Sequence, residues 1–156
     1  PRPQTHRSMN VPAKLSEIAR KEKTLGKEAV AQVAITTKLG GDRDYRGKQR
    51  RHQVTILSEE GWKAACNDIN RPDLDWTIRR ANLFVRGIEL PQIAGSKLRI
   101  GSVIFEVTGE TDPCHRMDEA ATGLKTAMTP EWRGGITCRV IQDGVIRCGD
   151  FVSLID

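Results

Sequence analysis

The chain has 156 residues, 38% of them hydrophobic and 4% aromatic, and a formal net charge of +5. This length suits one domain with its own core, and no apolar run approaches the ~20 residues that a membrane span requires. The positive charge favours an anionic partner such as a phosphate-bearing cofactor, while the scarcity of aromatic residues argues against nucleic acid.

Residues 1–28 mix prolines with charges, and around Leu15, Ile18 and Ala19 their spacing suggests one helical turn. We interpret this stretch as a partly flexible arm that precedes a domain over residues 29–156. Its start lacks an apolar segment after the basic residues, so we expect cytoplasmic residence.

The predicted domain begins with a strand over residues 29–37, where small and β-branched residues alternate. The following loop, residues 39–47, combines glycines with Arg43 and Arg46. Glycine lets the backbone approach a ligand closely, and the planar arginine side chain suits oxyanions. An ordinary solvated turn would have the same composition, so the loop alone is weak evidence for a ligand site.

A second strand is predicted over residues 53–57, followed by a helix that Ser58 caps. Residues 77–85 again have strand character, and the two-residue period places Arg80 and Asn82 on one face. A core strand would not bury either side chain without a partner. This pair is therefore a candidate donor site for phosphate or a polar heterocycle.

The most informative stretch is a turn around Asp112, Pro113 and Cys114, between a strand over residues 102–107 and a short helix from residue 118 to Gly123. His115 and Arg116 follow the cysteine, and cationic neighbours favour the thiolate. The thiolate is the form that attacks sulfur, carries a persulfide or ligates a metal. A small, inert, buried cysteine is the alternative.

The remaining chain predicts further short strands: residues 97–100, 136–141, 145–147 and 149–154, with a hairpin turn at Asp143 and Gly144. The other cysteines are expected in the core or sheet (Cys138, Cys148) or on a helix face (Cys66). No two cysteines stand in CxxC spacing, so we do not expect a zinc cluster. Many short strands and few helices predict a mainly β fold, a mostly antiparallel closed β-barrel.

In this order the chain resembles the MOSC family, the type of domain found at the C-terminus of molybdenum cofactor sulfurases and in free-standing small bacterial proteins. The resemblance rests on five ordered groups of residues: 40–43, 80–83, 98–101, 108–114, and 134–136 with 143–146 and 149–150. It implies a barrel of the pyruvate-kinase-barrel-like kind whose cleft binds the pterin-based molybdenum cofactor, molybdopterin.

The resemblance further implies that Cys114 ligates molybdenum or carries a persulfide sulfur. The candidate cofactor-binding residues are Arg43, Arg80, Asn82, Thr108, Thr111, His115 and Arg116. One hypothesis is an oxidoreductase that reduces N-hydroxylated compounds with an external electron-donor protein. The other is a sulfur carrier without turnover of its own, loaded by a cysteine desulfurase. No pyridoxal phosphate site is assigned, and a basic barrel that binds nucleic acid is the third, minor hypothesis.

Overall fold

The computed structural model describes residues 13–22, 26–30, 32–36, 40–41, 54–76, 81–111 and 115–155. These residues form eleven strands, three helices and one 3-10 turn, Pro130–Trp132. The strands are β1 (Lys14–Glu22), β2 (Gly26–Val30), β3 (Gln32–Thr36), β4 (Gly40–Gly41), β5 (Val54–Ser58), β6 (Leu83–Arg86), β7 (Lys97–Ile100), β8 (Val103–Glu110), β9 (Ile136–Gln142), β10 (Gly144–Arg147) and β11 (Val152–Ile155). The helices are α1 (Glu59–Asp68), α2 (His115–Ala120) and α3 (Leu124–Ala127).

Seven strands curl into a nearly closed barrel, in the order β11-β7-β8-β9-β5-β6-β1, and β2 extends the sheet beyond β1. β1 meets the start of β11 through a bridge between Lys14 and Phe151. Two hydrogen bonds reinforce this closure, from the Leu15 N–H to the Asp150 carbonyl at 2.8 Å and from the Val152 N–H to the Ala13 carbonyl at 3.0 Å. The predicted mainly β barrel is thus confirmed, with β5 and β6 as a parallel pair.

The barrel interior is filled by alternating residues of the strands, as the two-residue period requires. Val54 and Ile56 of β5 face inward, and so do Ile136 and Cys138 of β9, all buried. A second core lies between the outside of the barrel and the helices. It contains Leu57 of β5, so the two faces of one strand serve two cores.

Helix α1 begins as predicted, because the Ser58 hydroxyl accepts a hydrogen bond from the Gly61 N–H at 2.8 Å. Trp62, Ala65 and Cys66 are its buried residues. None of the helices in the described part of the chain has the length and apolarity needed to cross a membrane.

The helical turn expected around Leu15 and Ile18 is wrong, because both residues belong to strand β1. A bulge between Leu15 and Glu17 shifts the register, so that two residues three apart both face the barrel interior. An extra residue in a strand therefore imitates helical spacing.

Three other local predictions are corrected by the structure, two of them because of long-range strand pairing. The single strand expected over residues 29–37 is replaced by β2 and β3, which belong to different sheets. The hairpin expected at Asp143 and Gly144 does not form, because β10 pairs with β3 in the smaller sheet. Cys148 is exposed in the turn after β10 rather than buried in the sheet.

Candidate functional site

A β-bulge lies near the end of β8, and the hydroxyl groups of two threonines, Thr108 and Thr137, connect it to β9. We call this pair of threonines the threonine staple. Val107 pairs with Cys138 and Gly109 pairs with Thr137, which leaves Thr108 as the extra residue. The Thr108 hydroxyl donates to the Thr137 carbonyl at 3.0 Å and lies 2.8 Å from the Thr137 hydroxyl. The Thr137 hydroxyl in turn donates to the Gly109 carbonyl at 3.2 Å. The last residues of β8 are thereby held in one orientation.

Asn82 connects three strands next to this bulge. The side-chain oxygen of Asn82 accepts a hydrogen bond from the Thr55 backbone N–H at 2.9 Å. The backbone N–H of Asn82 donates to the Thr55 carbonyl, also at 2.9 Å. Its carbonyl accepts from the Ala19 N–H at 2.7 Å. Thr55 is the pairing partner of Thr137, so Asn82 belongs to the same polar row as the staple. A half-buried amide needs a hydrogen-bond partner, and a backbone N–H serves as one for the side-chain oxygen of Asn82.

Thr111 is the last described residue before Cys114. Its N–H donates to the Gly135 carbonyl at 2.9 Å. Its hydroxyl is buried and has no hydrogen-bond partner in the structure that the described residues form. A buried, unsatisfied hydroxyl costs free energy, and its presence at this point indicates capacity to bind a ligand or the neighbouring turn.

Gly135 brings β9 close to β5 beneath Thr111. Its φ is +100°, and a Cβ built on it would lie 2.5 Å from the Ile56 carbonyl oxygen. Only glycine combines this left-handed backbone with so close an approach. The second glycine of the Gly134-Gly135 pair in the sequence motif is therefore required by the structure.

The remaining predicted site residues are only partly covered by the structure. Cys114, Arg43 and Arg80 lie outside the described residues. His115 and Arg116 form the first turn of α2, which begins three residues before the predicted helix start, and their side chains lie outside the description. The predicted roles of Cys114 and Arg80 in holding the cofactor therefore stay predictions.

A cavity of about 590 Å³ opens at the barrel end where β8 ends. Ser58 at the end of β5, Gly87 after β6 and Ile136 at the start of β9 line it. Ile136 pairs with Glu110, the last residue of β8, which fixes the cavity at this end. Among the residues that the structure describes, its ionisable lining consists of Glu60, Glu89, Glu131 and Arg133.

The three described cysteines all disfavour the thiolate. Burial raises the pKa of Cys138 far above its usual range and raises that of Cys66, to which the Asp73 carboxylate adds. Partial burial also raises the pKa of Cys148, with the charges of Glu17 and Asp150 acting in the same direction. Over the part of the chain that the structure describes, no group of three His, Cys, Asp or Glu residues is placed to hold a metal ion.

Thr137 is the residue of this region that sequence analysis missed. It stands in a predicted strand between buried Ile136 and Cys138, and a lone threonine there is usually read as an outward-facing strand residue. The sequence does contain one indication of this site. Thr108, Thr137 and Thr55 each occupy an outward-facing position in an otherwise apolar strand. Which of these outward positions become neighbours depends on register, and register is set by the sheet.

Comparisons with known proteins agree with this architecture. The family model of the MOSC domain matches residues 36–153, well over half of the chain. No curated protein matches the chain significantly. The YuaD protein from Bacillus subtilis has a similar fold, with a TM-score of 0.76 at 18% identity over 91% of this chain and 94% of that one.

Two further crystal structures share the fold. YiiM from Geobacillus stearothermophilus gives a TM-score of 0.73 at 20% identity, covering 93% of this chain and 76% of that one. YiiM from Escherichia coli gives 0.68 at 16% identity, covering 93% and 69%. At these identities the likeness concerns the fold alone.

Proposed function

This chain belongs to the MOSC domain family, and from that premise we propose that it binds the molybdenum cofactor through Cys114. The bound cofactor would serve the reduction of N-hydroxylated compounds with electrons from an external donor protein. The observation that carries the proposal is the buried, unpaired hydroxyl of Thr111, three residues before Cys114, at the end of a strand fixed by the threonine staple.

The described residues divide into scaffold and potential ligand contacts. The side-chain oxygen of Asn82 and the hydroxyl of Thr108 already have backbone and side-chain partners, so we infer that both position strands. Thr111 retains hydrogen-bonding capacity, which fits a polar group beside the turn. We therefore propose that Cys114, Thr111, Arg43 and Arg80 hold the cofactor, with the arginines on its phosphate.

The chemistry of these residue types suits the proposed roles. A thiolate is a soft ligand, which molybdenum accepts, and the arginine fork matches phosphate geometry. The bound cofactor would supply a metal centre for a two-electron reduction. In that reaction an N–OH group, two electrons and two protons would give an N–H group and water. In the proposal the chain orients the cofactor, and Cys114 supplies the protein ligand.

Elemental analysis tests this proposal on protein produced in a host that makes the cofactor. We expect molybdenum and pterin fluorescence in the wild type and in Cys148→Ser, which removes an exposed thiol as a matched control. Cys114→Ser should lose the metal. A wild type without molybdenum under these conditions would overturn the proposal.

The sulfur-carrier function is the outcome that would replace it. A metal-free wild type that gains one sulfur at Cys114 after incubation with a cysteine desulfurase and cysteine, measured by mass spectrometry, would establish that function. The raised pKa values of Cys66, Cys138 and Cys148 disfavour labelling at those three thiols. Labelling at one of them instead would exclude Cys114 as the carrier.

A further inference from the structure

The cavity at the barrel end has the size and wall of a small-molecule site. Its volume of about 590 Å³ lies within the range of ligand pockets, roughly 300 to 1,000 Å³. Ile88, Leu90 and Trp132 line it and pack against the barrel core, so its floor is apolar and continuous with the interior. An apolar part of a ligand would be buried there.

The charged groups of the cavity are unevenly balanced. Arg133 donates to the Asp68 carboxylate at 2.6 Å and to the Ala127 carbonyl at 3.0 Å, so a carboxylate outside the cavity compensates its charge. Glu60 accepts a hydrogen bond from the Gly87 N–H at 3.0 Å. Glu89 and Glu131 form no ion pair with any residue that the structure describes. Among the lining residues that the structure describes, the carboxylates therefore outnumber the cations.

The loop that carries Glu131 and Trp132 is held in an unusual backbone conformation. Both residues have left-handed φ values, 52° and 55°, although neither is glycine. Such a conformation costs roughly 1 to 3 kcal/mol per residue and persists only where the surroundings enforce it. Here the Gln92 side chain donates to the Glu131 carbonyl at 3.2 Å, and Trp132 packs on the core. Exposed Glu131 and half-buried Trp132 are thereby held next to each other in the lining of one cavity.

We propose that this cavity binds an amphipathic organic cation, with its apolar body on Trp132, Ile88 and Leu90 and a primary ammonium group facing Glu89 and Glu131. An ammonium group offers three donors and a positive charge, which complement carboxylate oxygens. We expect an anion of the same size to bind more weakly, because it would meet the same two carboxylates. The site needs neither Cys114 nor a cofactor, so it goes beyond the proposed function and stands independently of it.

Three probes of similar size and different charge test the proposal: benzylammonium, neutral benzyl alcohol and benzoate. We expect benzylammonium to bind in the millimolar range, more weakly at higher salt, and to outbind both other compounds. The readout is the indole N–H resonance of each of the three tryptophans by NMR, with Trp132 assigned through Trp132→Phe. Only the Trp132 resonance should shift at saturation.

Two other tryptophans serve as internal controls, because they line a different cavity of about 230 Å³. The Trp76 indole donates to Glu17 at 2.8 Å and the Trp62 indole to the Leu74 carbonyl at 3.3 Å. A saturable shift confined to those two resonances would place the cation in the other cavity and overturn the proposal. Equal affinity for benzoate, or no binding of benzylammonium, would overturn it as well.

Single-charge variants locate the electrostatic contribution. Glu89→Gln and Glu131→Gln should each weaken benzylammonium binding about twofold to fivefold, as expected for exposed ion pairs. Asp73→Asn removes one exposed charge that lines neither cavity and should leave affinity unchanged. An equal loss in Asp73→Asn would reduce the effect to overall charge and refute the site. Cys114→Ser should bind benzylammonium as the wild type does, which separates this test from the molybdenum measurement.

Discussion

The hydroxyl groups of Thr108 and Thr137 lie 2.8 Å apart across β8 and β9, at the bulge from which β8 runs to Thr111. Thr137 is 7% exposed, so this contact is shielded from water. Bulges next to functional sites commonly redirect a strand end. We infer that the staple determines the direction in which β8 ends at Glu110, ahead of the turn predicted around Cys114.

Removal of the Thr137 hydroxyl should destabilise the protein. Thr137→Val keeps the shape but removes the hydroxyl that donates to the Gly109 carbonyl and lies 2.8 Å from the Thr108 hydroxyl. We expect the free energy of unfolding in urea to fall by about 1 to 3 kcal/mol, since buried polar groups lose their partner. Thr137→Ser restores the hydroxyl and should recover most of the loss. A valine variant as stable as the wild type would show that the staple contributes nothing.

The close approach of Gly135 to β5 can be separated from its backbone conformation. Gly135 and Gly149 have nearly the same φ, +100° and +97°, but a Cβ at Gly149 would meet no atom within 4 Å. Gly149→Ala should therefore cost only the left-handed backbone term, roughly 1 to 2 kcal/mol. Gly135→Ala adds a clash with the Ile56 carbonyl and should cost clearly more. Equal thermal stabilities of the two variants would contradict the packing argument.

Asn82 should act through the acceptor on its side chain. Asn82→Ala leaves the Thr55 N–H without its 2.9 Å partner and should lower the free energy of unfolding by about 1 to 3 kcal/mol. Asn82→Asp keeps an oxygen at that position and should lose less. The comparison is made by chemical unfolding at neutral pH. An aspartate variant less stable than the alanine variant would argue against the acceptor role.

The buried thiol of Cys138 should make the free energy of unfolding decrease at alkaline pH. Because burial raises its pKa in the folded state, the folded protein keeps the thiol proton while the unfolded chain loses it above about pH 8.5. The unfolded state then binds fewer protons, so stability is full below that pH and falls as pH rises, by about 1.4 kcal/mol per unit.

The measurement compares the free energy of unfolding of wild type and Cys138→Ala from neutral to alkaline pH. The alanine variant lacks the titrating thiol, so the difference between the two proteins should shrink above about pH 8.5. A difference that stays constant across this range would show that the thiol is not protected in the folded state.

Much of the local structure follows from the sequence alone. Strands β5, β7, β8 and β9 occupy the predicted apolar runs, and Ser58 caps α1 as predicted. The order of the motifs also indicated the family before any pairing was known. These features are local, because alternation, capping and turn residues depend on neighbours within a few positions.

What the tertiary structure decided is which positions become neighbours. The bulge in β1 turns the spacing of Leu15 and Ile18 from an apparent helix into a strand, and β10 pairs with β3 instead of folding back on β9. Asn82 reaches Thr55, and Thr108 reaches Thr137, only through the register of the closed barrel. Periodicity tells which face of a strand is apolar, but pairing and register arise from distant segments that bury those faces together.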